Sequence, residues 1–213
     1  MQLILATLHE PQAQAWQLFC GDLDFVRIHK GSILDVSCEA LVSPANSFGF
    51  MDGGIDALYL RRFGDELQSR VRQQIAERHH GELLVGSAEL VATHDLQIPF
   101  MIAAPTMRVP TILTDSVNVY LATRAALLCA RQAGLDVVAL PAMGTGVGRM
   151  SPAACAHQMR TAMDDVLLDR FTPPRTWAEA SERHQALYTH RPRRLQLQGL
   201  AIDSPPSPQC APR

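Results

Sequence analysis

The sequence has almost no net charge: 19 basic and 21 acidic side chains leave a formal −2. That balance argues against a general nucleic-acid binder held by a broad basic field, and leaves room only for a local patch. A long apolar run is missing as well. The opening "MQLILATLHEP" reaches His9 and Glu10 too soon to span a bilayer, and it shows neither a charged leader nor a cleavage pattern. A cytoplasmic chain with no membrane partner is expected. The five cysteines, Cys20, Cys38, Cys129, Cys155 and Cys210, form no C-x-x-C pair and no metal-ligand spacing, so they read as buried reduced thiols. The eight histidines form no H-E-x-x-H set; His79 and His80, just before Gly81, read as a helix C-terminus, where imidazolium suits the dipole. Neither a metal nor a cofactor is expected. No G-x-x-x-x-G-K occurs, so nucleotide hydrolysis on a P-loop is unsupported. A Rossmann dinucleotide site has little support either, because no G-x-G-x-x-G with a following acidic strand end is present.

What is there begins with size. At 213 residues and 47% hydrophobic content the chain suits one globular domain with room for an appendage. Short apolar runs at Leu3 to Ala6, Phe25 to His29 and Ala40 to Ser43 predict strands. From Ile55 the apolar positions Tyr59, Phe63, Leu67, Val71 and Ile75 recur every four residues, which predicts one long helix. Leu83 to Val91 and Ile98 to Ala104 read as strands, the second beginning late because of Pro99. A helix starting at Thr114 and Asp115 would place Val117, Leu121, Ala125 and Leu128 on one side and end at Gly134. Val137 to Leu140 is a buried strand. Ser151 then caps a helix with Pro152 in its first turn and Cys155, Met159, Ala162 and Val166 on one face. Strand and helix alternate, hence an α/β fold. Residues 1–170 make up this unit, and 171–203 a C-terminal extension with one helix around Trp177 to Tyr188. Its basic end, Arg191, Arg193 and Arg194, reads as a solvated linker, and residues 204–213, rich in proline and serine, as a disordered tail.

Two junctions stand out. "VSPANSFGFMDGGID", Val42 to Asp56, and "LPAMGTGVGRMSP", Leu140 to Pro152, both leave an apolar strand, turn glycine-rich and enter a helix. A helix start offers unpaired N–H groups and a positive dipole end, and glycines let a ligand approach that backbone. Gly144 to Gly148 therefore suits a diphosphate; a glycine-rich turn with no ligand fits the same residues. Asn46 supplies a donor and an acceptor for a sugar hydroxyl, or is simply a turn residue. Asp56, in a first helical turn, is placed to accept from a hydroxyl or a water, or merely complements the dipole. Loops at the carboxyl ends of neighbouring strands converge on one crevice, which joins the two segments into a site.

"ALVSPANSFGFMDGGID" followed by "VVALPAMGTGVGRMSPAACAHQM" resembles the macro domain, the ADP-ribose-binding module, whose patterns are a strand ending in N-A-A-N, then G-G-G-V-D, and later a P-x-x-S-T-G-V-x-G-x-P loop. The resemblance spans roughly Phe25 to Leu168. It implies a three-layer α/β/α sandwich on a central mixed sheet. It also implies that Asn46 lies near the distal ribose. Gly53, Gly54 and Ile55 match the first phosphate-side loop, and Gly144, Thr145, Gly146 and Val147 the second. Asp56 matches the aspartate that hydrolytic members use to position or activate water, so Asp56 with Asn46 forms the implied catalytic pair.

The departures are specific. "GSI" puts Ser32, followed by Ile33, where many members carry an aspartate that reads the adenine amine. Gly148 and Arg149 follow Val147 where a ring often packs on the ribose; Phe48 or Phe50 is the candidate substitute, and Arg149 a candidate phosphate contact. The second loop has some likeness to the G-C-G-L-D-R form of the deglutamylating subgroup, but Gly148 stands at its aspartate. The paired glutamates of poly(ADP-ribose) glycohydrolases are absent, and "APTMRVP" replaces the usual H-T-V-G-P, which marks a distinct branch. The implied partner is ADP-ribose or an ADP-ribosylated substrate, and the implied activity is hydrolysis of an ADP-ribosyl or O-acyl-ADP-ribose bond. A non-catalytic reader, or a binder of another nucleotide or an RNA end, is the alternative.

Overall fold

The computed structural model describes residues 1–44 and 46–189. Strands β1 (Gln2–Thr7), β2 (Val26–Lys30), β3 (Ala40–Ser43), β4 (Glu89–Ala92), β5 (Phe100–Ala103) and β6 (Val137–Pro141) form one sheet in the order β2-β1-β6-β3-β5-β4. Pairings β1–β2, β1–β6, β3–β6 and β3–β5 are parallel, and β4 pairs antiparallel with β5, which makes the sheet mixed.

Successive residues of a strand point to opposite faces, and both faces here are apolar. Leu3, Leu5, Val42, Ile102, Val138 and Leu140 pack on one side against helices α1 (Glu10–Cys20), α4 (Asn118–Gln132) and α5 (Pro152–Leu167) through Trp16, Val119, Ala126, Cys155 and Met159. Ile4, Ala6, Leu41, Met101 and Ala139 pack on the other against α2 (Gly54–Phe63) and α3 (Glu66–Arg78) through Tyr59, Leu67, Val71 and Ile75. The result is the expected three-layer α/β/α sandwich. Among the described residues no helix is long and apolar enough to cross a membrane. Cys20, Cys38, Cys129 and Cys155 are free thiols, and Cys210 lies outside the described residues.

Several elements differ from their sequence expectations. The long helix is two: Gly64, at φ +83, donates its N–H to Leu60 and cannot continue the turn, so the chain restarts as α3. The strand expected from Leu83 shortens to Glu89–Ala92, because Gly86 at φ +97 breaks the extended run. Helix α4 begins at Asn118 rather than Thr114, and buries Val119, Ala122, Ala126, Leu127 and Ala130; of the expected face only Ala125 is buried, while Val117, Leu121 and Leu128 are partly exposed. Helix α1 is additional to the sequence reading. Ala13, Trp16 and Cys20 form its buried face, Pro11 occupies its first turn, and its cap residue His9 makes no side-chain capping bond.

Other expectations agree. Ser151 accepts from the N–H of Ala154 and caps α5, whose Cys155, Met159, Ala162 and Val166 are buried. Gly134, at φ +70, follows α4. A last helix, α6 (Trp177–Gln185), is capped by Thr176, and His157 meets the carbonyl of Ala186. The basic stretch from Arg191 to Arg194 and the 204–213 tail lie outside the described residues.

Candidate functional site

The carboxyl ends of β1, β2, β3 and β6 open onto one cleft of about 730 Å³. Strand β6 lies inside the sheet, so the loop that follows it occupies the middle. Thr7, Leu8, His9, Gly31, Ser32 and Ile33 line one flank; Asn46, Phe50, Asp52, Gly53, Gly54, Ile55, Asp56 and Arg61 line the other. Gly144, Thr145, Gly146, Val147 and Gly148 complete the cleft between them. Every candidate residue from the sequence is thus in one place except Phe48 and Arg149. The Arg149 side chain is exposed and does not line the cleft: its backbone is left-handed at φ +53, and its N–H bonds back to the carbonyl of Gly146.

The glycines of the β6 loop do different things. A Cβ on Gly144, which sits at φ +70, would lie 2.9 Å from Val119, and one on Gly148 would lie 2.4 Å from the Gly144 carbonyl oxygen. Both are needed for the loop to close on itself through Met150 N–H to Gly144, and to dock on the segment before α4 through Leu113 N–H to Gly148. Among the described residues no atom lies within 4 Å of a would-be Cβ on Gly146, so it offers open backbone to the cleft. Beside it Val147 is 62% exposed.

Across the cleft, the first turn of α2 begins at Gly53 and Gly54 with no side-chain cap, so its N–H groups are left for a ligand. Gly54 adopts φ +59. Asp56 follows in the same turn and is only 6% exposed. The Ser43 hydroxyl donates to its Oδ1 at 2.6 Å. Burial pushes the carboxyl up to about 6, against the lowering effect of the Ser43 bond. One turn later Tyr59 donates from its phenol to the carbonyl of Val42 at 3.0 Å and ties α2 to β3. Burial first, and then the charge at Asp56, hold the Tyr59 phenol well above its ordinary pKa.

Asn46 has little free capacity. Its Oδ1 accepts from the N–H groups of Phe48 and Phe50 at 3.1 and 3.3 Å, and its Nδ2 donates to the Phe50 carbonyl at 2.7 Å. The acceptor is saturated and one N–H remains. The turn so closed is pressed on α3 at Gly49, where a Cβ would lie 2.9 Å from Val71. It presents Phe50 to the cleft with the Arg72 guanidinium 4.5 Å from its ring centre, while Phe48 does not line the cleft. On the opposite flank Ser32 accepts from the N–H of Leu34 at 3.2 Å and caps the 3-10 turn Ile33–Asp35. Ile33 is buried.

Sequence reasoning missed Ser43, Tyr59, Leu8 and His9. A serine closing an otherwise apolar strand was the available signal for the first. The β1–α1 junction is the same kind of strand-to-helix turn as the other two, but its lack of glycine hid it. Among the described residues no cluster of histidine, cysteine and carboxylate side chains could hold a metal ion.

Comparison with known proteins places this geometry. The family model for the Macro domain matches residues 42–159. An uncharacterized protein of Aquifex aeolicus (strain VF5) is 37% identical over 134 residues, 63% of this chain and 78% of that protein. Another, from Aeropyrum pernix, is 35% identical over 135 residues, covering 63% and 68%. Among solved structures, the macrodomain of Mycobacterium tuberculosis DarG superposes with a TM-score of 0.56 at 23% identity, over 63% of this chain and 87% of that one. The Oceanobacillus iheyensis macrodomain with ADP gives 0.57 at 20% identity, over 66% and 75%. These two likenesses concern the fold.

Proposed function

Because the chain belongs to the Macro domain family, we propose that it binds ADP-ribose or an ADP-ribosylated substrate in this cleft, in the cytoplasm, and hydrolyses an ADP-ribosyl or O-acyl-ADP-ribose bond. The observation that carries the reading is the open backbone at Gly146 facing the uncapped first turn of α2 across one cleft. Two sets of main-chain donors on opposite walls suit a diphosphate, with no lysine required. The Oceanobacillus iheyensis macrodomain solved with ADP supports the same class of ligand.

Hydrolysis is supported by Asp56. A carboxyl raised to about 6 is ionised at neutral pH yet remains a competent base. In the proposed step for an ADP-ribosyl bond the Asp56 carboxylate takes a proton from water as the water oxygen bonds to the anomeric carbon. The bond from that carbon to the acceptor breaks, its electron pair leaves with the acceptor, and the acceptor takes up a proton. Ser43 fixes the carboxylate and Tyr59 fixes the helix that carries it.

A non-catalytic reader is the second reading. It is favoured by Asn46, whose amide is engaged in its own turn and leaves one N–H to hold a sugar. Calorimetry with ADP-ribose, AMP and adenosine tests binding: ADP-ribose should bind clearly best, and equal affinities for ADP-ribose and adenosine would defeat the proposal. Release of ADP-ribose from a modified protein or from O-acetyl-ADP-ribose tests catalysis. Turnover by the wild type that is lost in Asp56→Ala supports the hydrolase; binding with no turnover on any linkage leaves the reader.

A further inference from the structure

The strand order fixes the order of loops along the cleft. With the β6 loop in the middle, the ends of β1 and β2 lie on one side and the end of β3 on the other. A diphosphate held in the middle sends one arm of the ligand to each side. The two carboxylates that line the cleft, Asp52 and Asp56, are both on the β3 side, where they suit sugar hydroxyls. Among the described residues the β1–β2 side has none. It offers instead the apolar surface of Leu8, 79% exposed, which suits the face of a flat ring. The base therefore belongs on the β1–β2 side.

The side chains that can read a base edge there are few. The Thr7 hydroxyl is buried and accepts from the N–H of His9. Ser32 is half-buried and lines the cleft; its oxygen accepts from Leu34 and keeps an O–H donor and one further lone pair. An ionised carboxylate can only accept, and so would select the N–H of a 6-amino purine. A hydroxyl turns to donate to a carbonyl or to accept from an amine at similar cost. His9, the remaining polar side chain on this flank among the described residues, is likewise a donor or an acceptor according to its tautomer.

We infer that the cleft takes nucleoside-diphosphate riboses carrying a 6-oxo purine as readily as those carrying adenine, and that Ser32 is the residue that leaves the base unselected. This rests on the diphosphate reading given under Proposed function, since the β6 loop sets which arm lies where.

The experiment is calorimetry on the full chain with ADP-ribose and its hypoxanthine analogue, for the wild type and for Ser32→Asp. Aspartate caps a helical turn as well as serine does, so the turn at Leu34 is retained. The wild type should bind the two ligands within about threefold of one another, the scale of one neutral hydrogen bond exchanged for another. Ser32→Asp should favour ADP-ribose by about tenfold or more, because the analogue's carbonyl then faces a carboxylate with no donor between them. A wild type that prefers ADP-ribose tenfold overturns the inference, whatever the variant does. So does an unchanged ratio in a Ser32→Asp variant that folds as the wild type does. Binding of neither ligand to the wild type overturns the diphosphate reading itself, and so separates the two failures.

Discussion

Replacing Asp56 by asparagine should change the pH dependence of stability in a direction the structure sets. In the native chain the carboxyl is buried and its pKa rises from 3.8 to about 6, while in the unfolded chain it returns to the ordinary value. The native state therefore holds this proton more tightly. The stability it contributes is fully present below about pH 4, falls as pH rises from about 4 to about 6, and stays lost above that. A shift of about 2 units at 1.36 kcal/mol each gives a cost of about 3 kcal/mol at pH 8, an upper figure for a carboxylate this enclosed. Asparagine keeps an oxygen for the Ser43 hydroxyl and carries no charge to desolvate. Urea unfolding of both proteins should thus show nearly equal stabilities at pH 3.5 and a more stable variant at pH 8. Taking the difference between the two proteins removes the other carboxylates, which titrate in both. If the gap is the same at both pH values, or if the variant is the weaker at pH 8, Asp56 is not held in a desolvating site and its role as a raised-pKa base falls with it.

The same raised carboxyl predicts a rate profile: kcat/KM for ADP-ribose release should climb through about pH 6 and level off above it, and a profile flat from pH 5 to 8 would remove Asp56 as the base. Gly146→Val should melt with the wild type, since nothing lies within 4 Å, yet bind ADP-ribose at least tenfold more weakly because the side chain fills the approach to the backbone; unaltered binding in calorimetry would mean the loop holds no diphosphate. Gly148→Ala should instead lose stability, by about 1–3 kcal/mol or more, since its Cβ meets the Gly144 carbonyl oxygen, and thermal melting checks this. Asn46→Ala opens the turn that presents Phe50, so denaturation should register about 1–3 kcal/mol and ligand affinity should fall together with turnover.

How far the sequence could be read depended on whether the deciding interaction was local. Ser151 and Pro152 mark the start of α5 because cap and first turn are adjacent in the chain, and the structure puts the helix there. The apolar row from Tyr59 to Ile75 correctly reported a buried face, since both α2 and α3 lie against the same side of the sheet. It could not report the break at Gly64, because a four-residue repeat records which way residues face and not whether the helix is continuous. Helix α1 escaped for the complementary reason: His9 is a poor cap, and a buried Gln12 interrupts the apolar face. Within the site, the convergence of the two glycine-rich junctions was legible. The bond from Ser43 to Asp56 was not, for it joins residues 13 apart through the packing of α2 on β3.

The β6 loop shows the limit most directly. In "GTGVGR" three glycines alternate at equal spacing, and any of them would serve a ligand that needs close approach to the backbone. Packing separates them. Gly144 and Gly148 are enclosed, by Val119 on one side and by the loop's own carbonyl on the other, and neither could be replaced without moving the chain. Their closure leaves Gly146 at the tip with none of the described residues over it. It also draws the N–H of Arg149 back to the Gly146 carbonyl, and the resulting left-handed backbone keeps the only cation of the loop outside the cleft. What reaches the cleft from this loop is thus main chain with Thr145 and Val147, and no cation. An anion held against this loop meets hydrogen-bond donors of fixed direction and no mobile charge from the loop itself, the cation that lines the cleft being Arg61 on the opposite flank. The loop's share of such binding should vary little with ionic strength, whereas a phosphate clamped by exposed Arg149 would weaken further as salt rises from about 0.05 to about 0.5 M. Titrating ADP-ribose across that range distinguishes the two, and a steep loss of affinity that disappears in Arg149→Ala would show that the arginine turns inward to the ligand after all.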